Sequence, residues 1–356
     1  MKRFLTRWKC STAILTAAAL CLAGGSAAWA AILGPYTPDG NTLHLYHLDE
    51  AAGSASSADA TGAQNMGGVL QGATLGNSSH SAAFGTSLDT SANALLPGNA
   101  AQANPPHRPV LLAASALALA DADNVTLDWA GADGSFTLEA IVKFDAATFA
   151  VNSTNFRNGA GGSTGGNYPM EIISGEGEAN GRRLLQFRIN QIGAGSAANV
   201  AGGTGTGAVR LELASLRGIV MNQGLVINLP TTGPNAITNT DWFHVAAAYN
   251  GAEGTANNIS FYWTKLDPTA TVANLIGQGQ LNLDPVEGLT GFAIGNEARD
   301  AGSGAGEGES FVGRIDEVRI SAVARAADQF IFGVPEPSTG ILALMALAAL
   351  ARRRSA

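Results

Sequence analysis

Short apolar stretches recur along this chain, each closed off by Gly, Asn, Asp or Ser. They run over Leu43–Leu48, Ser81–Phe84, Phe136–Phe144, Met170–Ile173, Leu184–Ile189, Val209–Leu213, Leu225–Leu229, Trp242–Tyr249, Ile259–Thr264, Phe292–Ile294 and Phe311–Ile320. Segments of that length, rich in β-branched and aromatic residues, read as strands, and many in succession read as an all-β sandwich or barrel. Long solvent-facing helices are excluded by composition, because only 13% of residues are charged while 45 are Gly. Val110–Ala120 fits strand or helix equally, and its length makes it a buried core element rather than a membrane span. A short helix is expected around Ala324–Phe330, and the Gly-rich runs Asn158–Asn167 and Ala301–Gly308 read as surface loops.

Charge narrows the function. Seven of the 20 basic residues sit at the two ends, namely Lys2, Arg3, Arg7, Lys9 and Arg352 to Arg354. Between residues 31 and 335 only 13 basic residues remain against 27 acidic ones. A surface that grips nucleic acid needs clustered Lys and Arg, so no nucleic-acid partner is expected. The two cysteines, Cys10 and Cys21, both lie in the first 30 residues.

Those 30 residues carry a basic start, an apolar stretch from Ser11 to Leu22 and then Ala28-Trp29-Ala30. This order is that of a secretory signal peptide cleaved after Ala30, which places the mature chain in the cell envelope or outside the cell, without a thiol. The other end reads Val334-Pro335-Glu336-Pro337, then Ser338-Thr339-Gly340, eleven apolar residues from Ile341 to Ala351, and Arg352-Arg353-Arg354. It resembles the PEP-CTERM sorting signal, with Pro335, Glu336 and Pro337 as the motif. The resemblance implies an exosortase partner and passage through the inner membrane with the Arg cluster on the cytoplasmic side. A full span needs about 20 apolar residues, so a thin or tilted insertion is implied. The chain is thus divided into a signal peptide (1–30), one β-sandwich domain (31–333) and a sorting tail with a short transmembrane segment (334–356).

Four motifs of the central part, in order, resemble the LamG-like, concanavalin A-like family. Leu45-Tyr46-His47-Leu48-Asp49-Glu50-Ala51-Ala52-Gly53, with Asp59-Ala60-Thr61-Gly62 and Gly67-Gly68-Val69-Leu70, is similar to its opening. Phe136-Thr137-Leu138-Glu139-Ala140-Ile141-Val142-Lys143 follows its F-T-x-x-A-W-V-K strand, with Ile141 in place of Trp. Trp242-Phe243-His244-Val245-Ala246 with Tyr249-Asn250-Gly251, and Phe311-Val312-Gly313-Arg314-Ile315-Asp316-Glu317-Val318-Arg319-Ile320, match the later two. The resemblance implies a jelly-roll β-sandwich and a structural Ca²⁺ held by Asp49, Asp59 and Asp316. In the other reading Asp49 and Asp59 cap turns and Asp316 pairs with Arg314 or Arg319. The excess of carboxylates over basic partners favours a cation.

Signs of catalysis are weak. The E-x-D-x-x-E strand of related glucanases does not occur, and Gly175 and Gly177 interrupt Glu171, Glu176 and Glu178, so a solvated loop is expected there. There is no H-E-x-x-H, and no His stands in a plausible triad context. His44 and His47 would point to opposite faces of a strand, and His244 is expected to be packed and hydrogen-bonded. Among the rings, Trp242 is expected in the core, one of Tyr262 and Trp263 faces outward, and Tyr168 beside Pro169 is the best candidate for ligand contact. The expectation is an exported, non-catalytic binding or structural protein of the envelope or an extracellular polysaccharide matrix, with carbohydrate as the candidate ligand. The alternative is a carbohydrate-active enzyme with nonstandard catalytic carboxylates. Intact mass of the exported protein should place its start near Ala31 and its end close to Pro337; a native product still carrying Arg352 to Arg354 would contradict that processing.

Overall fold

Alternation along Phe136–Phe144 sets the frame of the molecule. Leu138, Ala140, Val142 and Phe144 enter one buried cluster, while Glu139 and Ile141 point to the other face of the same strand. The computed structural model describes residues 34–63, 65–67, 73–91, 111–113, 134–145, 170–177, 182–191, 209–215, 223–252, 254–281, 289–295 and 311–332. In chain order its strands are β1 (Thr42–Tyr46), β2 (Ser56–Ser57), β3 (Met66–Gly67), β4 (Thr74–Ser78), β5 (Thr86–Asp89), β6 (Leu111–Ala113), β7 (Phe136–Phe144) and β8 (Met170–Gly177). They continue with β9 (Arg182–Gln191), β10 (Val209–Ser215), β11 (Gln223–Asn228), β12 (Phe243–Tyr249), β13 (Ile259–Lys265), β14 (Leu275–Gly279), β15 (Leu289–Ile294) and β16 (Gly313–Ser321).

These form two antiparallel sheets. The first runs β14-β13-β12-β7-β16-β5-β4 with β1 added to β16, and the second runs β11-β10-β9-β8-β15-β6-β3-β2. The chain passes repeatedly from one sheet to the other, so the fold is an all-β jelly-roll sandwich. Its core joins Phe243, Val245, Phe261 and Trp263 of the first sheet to Met170, Leu185, Phe187 and Leu211 of the second. Trp263 stacks on Phe243 at 4.5 Å between ring centroids.

One irregularity explains the spacing Ile315, Val318, Ile320, all of which reach the core although 315 and 318 differ by an odd number. The β16–β7 register shifts between Asp316 and Arg319, and Glu317 adopts a left-handed φ of 49°. This bulge inserts one residue and restores the phase, so Val318 returns inward. Asp316, Glu317 and Arg319 are thereby all available to the opposite side.

That opposite side of the first sheet is not open. Tyr36 near the start, Phe84 and the segment Phe330–Phe332 near the end cover it, packing on Leu45, Ile141, Ala246 and Tyr262. Beneath this cover lies Glu139, which is 0% exposed. Its Oε1 accepts from Arg319 Nε at 2.5 Å, its Oε2 lies 3.1 Å from His244 Nε2, and the Tyr36 hydroxyl donates to the same carboxylate. The Arg319 guanidinium also sits 3.8 Å from the Tyr36 ring centroid. Burial alone would raise the Glu139 carboxyl, but Arg319 and His244 override it and hold it below the ordinary value.

Several expected elements differ. Ser81–Phe84 is a 3₁₀ turn (Ala82–Phe84) rather than a strand, closed by Gly85, whose φ of 65° ends any ladder there. The expected loop at Glu171 and Glu176 is instead strand β8, which extends to Gly177 because β9 and β15 pair with it on both sides and absorb the glycines as register shifts. The expected helix is the 3₁₀ turn Ala327–Gln329. Of Val110–Ala120, Leu111–Ala113 is strand β6 and the remainder lies outside the described residues. The signal peptide, Glu178, and the sorting motif Pro335, Glu336 and Pro337 with its tail also lie outside them. Among the described residues no helix is long and apolar enough to cross a membrane.

His244 generates a pH dependence. It is fully buried, its Nδ1 has no hydrogen-bond partner, and burial lowers its pKa. A proton added to Nδ1 would have no acceptor, so the folded state binds fewer protons than the unfolded chain, where the value is about 6.5. The stability it contributes is present above that pH and lost as the pH falls through the folded value. Melting temperature should therefore drop between pH 7 and pH 5 more steeply in the wild type than in His244→Gln; identical slopes would contradict this assignment.

Candidate functional site

The outer face of the second sheet carries a line of charged side chains. On β9, Leu185, Phe187 and Ile189 enter the core, so Gln186 and Arg188 face away from it; on β10, Val209, Leu211 and Leu213 do the same and send out Arg210 and Glu212. Register then places Glu171 of β8, Arg188 of β9 and Glu212 of β10 directly opposite one another. Arg188 Nη1 donates to Glu171 Oε1 and Nη2 to Glu212 Oε1, both at 3.1 Å. Nη1 also donates to Gln186 Oε1 at 2.8 Å. All four residues are buried.

Next to this triad, Arg210 pairs in register with Asn190 on one side and Asn228 on the other. It is 0% exposed, and its Nε, Nη1 and Nη2 have no hydrogen-bond partner. Burial lowers its pKa; Glu212 opposes that change and Arg188 adds to it. These arginines lie outside the carboxylate patterns that point to catalysis. The signal was present in Leu-Gln-Phe-Arg-Ile (185–189) and Val-Arg-Leu-Glu-Leu (209–213), where charges alternate with core residues.

The three aspartates expected to share Ca²⁺ are divided. Asp59 Oδ2 lies 2.7 Å from His44 Nδ1, and Oδ1 accepts from the Leu45 and Thr61 N–H groups and from the Thr61 hydroxyl at 2.7 Å. Burial would raise this carboxyl, but the bonds from His44 and Thr61 outweigh it and lower it to about 2. Asp49 and Asp316 belong to a separate acidic pocket with Glu317. Asp49 Oδ1 accepts from the Thr86 N–H at 2.8 Å, a contact that requires Gly85, since a Cβ there would lie 2.2 Å from that oxygen. Asp316 accepts from the Ser79 hydroxyl and from the Glu317 N–H at 2.9 Å. Burial, reinforced by Glu317 and Asp49, pushes the Asp316 carboxyl well above its usual value. Glu317 in turn meets His47 Nδ1 at 2.8 Å and accepts from the Tyr36 N–H at 2.9 Å.

Asp49, Asp59 and Asp316 thus do not assemble as one ligand set, and among the described residues no group of three or more His, Cys, Asp or Glu is arranged to hold a metal ion. The basic partners considered for Asp316 are engaged elsewhere, Arg314 with Asp89 at 3.0 Å and Arg319 with Glu139.

The expected aromatic contacts also change. Tyr168 lies outside the described residues. Trp263 is in the core, as one ring of the Tyr262–Trp263 pair had to be, but Tyr262 on the outer side is covered by Phe330 at 5.0 Å between centroids. Trp242 is buried in the outer cluster rather than between the sheets. A more open feature lies on the rim beside the β13–β14 connection. A cleft of about 690 Å³ is lined by Asn235, Lys265, Asp267, Thr269, Asn274 and the half-exposed Val272, among others.

No family model matches the chain, and no curated protein matches it. Among solved structures it is similar to a heptameric SAP-like pentraxin from Limulus polyphemus (17% identity, 55% of this chain and 67% of that one, TM-score 0.32). It is also similar to the CBM40 of a Ruminococcus gnavus IT-sialidase bound to alpha2,3 sialyllactose (12%, 56% and 83%, TM-score 0.33). A third is a Trypanosoma rangeli sialidase in complex with 2,3-difluoro-KDN (12%, 85% and 36%, TM-score 0.40), of which the chain spans about a third.

Asp59→Ala removes an acceptor of four hydrogen bonds and leaves His44 and two backbone N–H groups without it. At about 1.5–3 kcal/mol for a bond to a charged group, melting should fall by several degrees. The loss should be equal in calcium and in chelator; a loss seen only in calcium would return Asp59 to a ligand role.

Proposed function

We propose that this chain is an exported, non-catalytic module that binds glycan weakly through the rim cleft beside β13 and β14. The observation that carries the reading is the cleft itself. It is open, its volume falls within the range of small-ligand sites, and it presents amide, hydroxyl, carboxylate and ammonium groups beside an exposed aliphatic side chain. Asn235 Oδ1 accepts from the Lys265 N–H at 2.9 Å, Thr264 Oγ1 accepts from the Asn274 N–H at 2.8 Å, and Lys265 pairs with Asp241 at 3.0 Å. These bonds brace the lining before any ligand arrives, and preorganised polar groups suit a hydroxyl-rich ligand.

The signal peptide and PEP-CTERM-like tail support delivery by an exosortase route to the envelope or an extracellular polysaccharide matrix.

A catalytic reading draws on Glu171 and Glu212, which lie on one face two strands apart, a separation of about 10 Å. A glycosidase needs water or a sugar carbon between its carboxylates. Here the Arg188 guanidinium stands between them, which favours binding over hydrolysis. Titration with a panel of neutral polysaccharides should give a saturable heat that Asp267→Ala weakens several-fold, with no release of reducing sugar. Sugar release abolished by Glu171→Gln would overturn the non-enzyme reading, and no binding to any polysaccharide would leave a purely structural protein.

A further inference from the structure

The free edge of a β-sheet presents a row of unpaired N–H and C=O groups, a template for another strand. This sandwich guards most of its edges. Beside β1, the Leu45 N–H donates to Asp59 Oδ1 and the Thr61 hydroxyl donates to the Leu43 carbonyl, both at 3.1 Å. On β4 the Asn77 side-chain amide takes the Thr74 carbonyl at 2.8 Å, and Arg314 takes the Ser78 carbonyl at 3.0 Å. β2 is only two residues long, and on β11 Leu225 and Val226 are buried. The exception is β14.

β14 ends the first sheet, and among the described residues no strand pairs with its outer side. Its sequence, Leu-Ile-Gly-Gln-Gly, holds neither charge nor proline, two of the usual guards of an edge. Leu275 is 45% exposed and Val272, just ahead of the strand, 46%. Yet the strand is firmly seated. The Asn274 carbonyl accepts from the Trp263 N–H at 3.0 Å, its side-chain amide donates to the Trp263 carbonyl at 3.1 Å, and the Gln278 amide donates to Ser260 Oγ at 2.9 Å. Gly277 and Gly279 lie so close to Ile227 and Leu225 of β11 that neither position has room for a Cβ. An edge held from two sides keeps its extended shape without a partner, so pairing it costs little further ordering.

Strand addition draws affinity from backbone bonds and specificity from pockets for alternate side chains. With glycine at two of its five positions, β14 has little with which to select a foreign sequence. An identical strand needs no such selection, because a two-fold axis sets β14 antiparallel to its own copy and satisfies both edges at once. Charge points the same way. Between residues 31 and 335 there are 27 acidic residues against 13 basic ones, so two copies repel in most orientations, and an uncharged strand is where they meet at least cost. The pairing also lays Leu275 of each copy along the uncharged partner strand and takes part of its surface from water.

We propose that β14 is a self-association edge, through which two copies of this chain pair antiparallel and join their first sheets into one continuous sheet. The pairing does not depend on the rim cleft taking a glycan. Gln278 is exposed on β14 and stands outside the cleft lining, so association and glycan binding are tested at different residues.

Sedimentation velocity of the exported protein over rising concentration should show a reversible equilibrium between monomer and dimer. Hydrogen exchange of the Leu275–Gly279 amides should slow as the dimer forms, with the β4 amides unchanged. Gln278→Lys, which sets like charges on the two copies, should weaken the dimer at least tenfold, and more so at low salt. Gln278→Glu should act alike, and an equimolar mixture of the two variants should recover the wild-type association, since opposite charges then face each other. The mixture separates repulsion from misfolding, because two damaged strands would not rescue one another. A protein that stays monomeric at every concentration would overturn the proposal. So would a dimer whose exchange protection falls on β4 or β1, or one that both variants and their mixture leave unchanged. Loss of polysaccharide binding in Asp267→Ala with the dimer intact reports on the cleft alone.

Discussion

A carboxylate without access to water has to be held from several directions at once, and Glu139 is held by four. Arg319 on β16, His244 on β12, Tyr36 near the start of the described chain and, at 3.9 Å, Arg325 near its end all converge on it. Removing one partner from such a buried group typically costs about 3–5 kcal/mol, far more than the same contact is worth at a surface. The network therefore ties the two ends of the fold to the middle strand of the first sheet, and it can form only when both ends lie across that sheet. Phe330 and Phe332, which pack against His244 at 4.7 and 5.3 Å between ring centroids, exclude the water that would otherwise dissolve it.

How much of this could be read from the residues follows from what period each feature has. Strands such as Phe136–Phe144 and Ile259–Lys265 carry a period of two and were placed almost to the residue. Two-residue strands such as β2 and β3 have no period to detect, and β14, with its Gly277 and Gly279, offers none either. The acid-rich stretch Ile315 to Ile320 broke the rule of two, and only the partner strand reveals that Glu317 is the extra residue. The Glu171 segment was misjudged for a related reason: glycines break an isolated strand, whereas a strand paired on both sides retains its ladder through them.

The polar sites show the same division between local and long-range information. That Asp59 serves a turn was one of the two local readings of its Asp-Ala-Thr-Gly setting, and its Thr61 bonds are of that kind. Its partnership with His44 fifteen residues earlier, and the separation of Asp59 from Asp49 and Asp316, depend on how β1 is laid against β16. The Glu171–Arg188–Glu212 alignment also depends on distant residues, since it needs the register of three strands, two of which are separated by the long stretch between Gln191 and Val209. Charge counting registered the surplus of acids but could not show which acids a guanidinium would reach.

The two outer faces of the sandwich are put to different use. On the first sheet the chain covers itself with aromatic side chains, and both the beginning and the end of the described chain run there. Tyr36 and Phe332 belong to the same buried cluster. A change at Tyr36 and a change at Phe332 are therefore felt at one carboxylate, the first through its hydroxyl and the second through the His244 ring that it packs against.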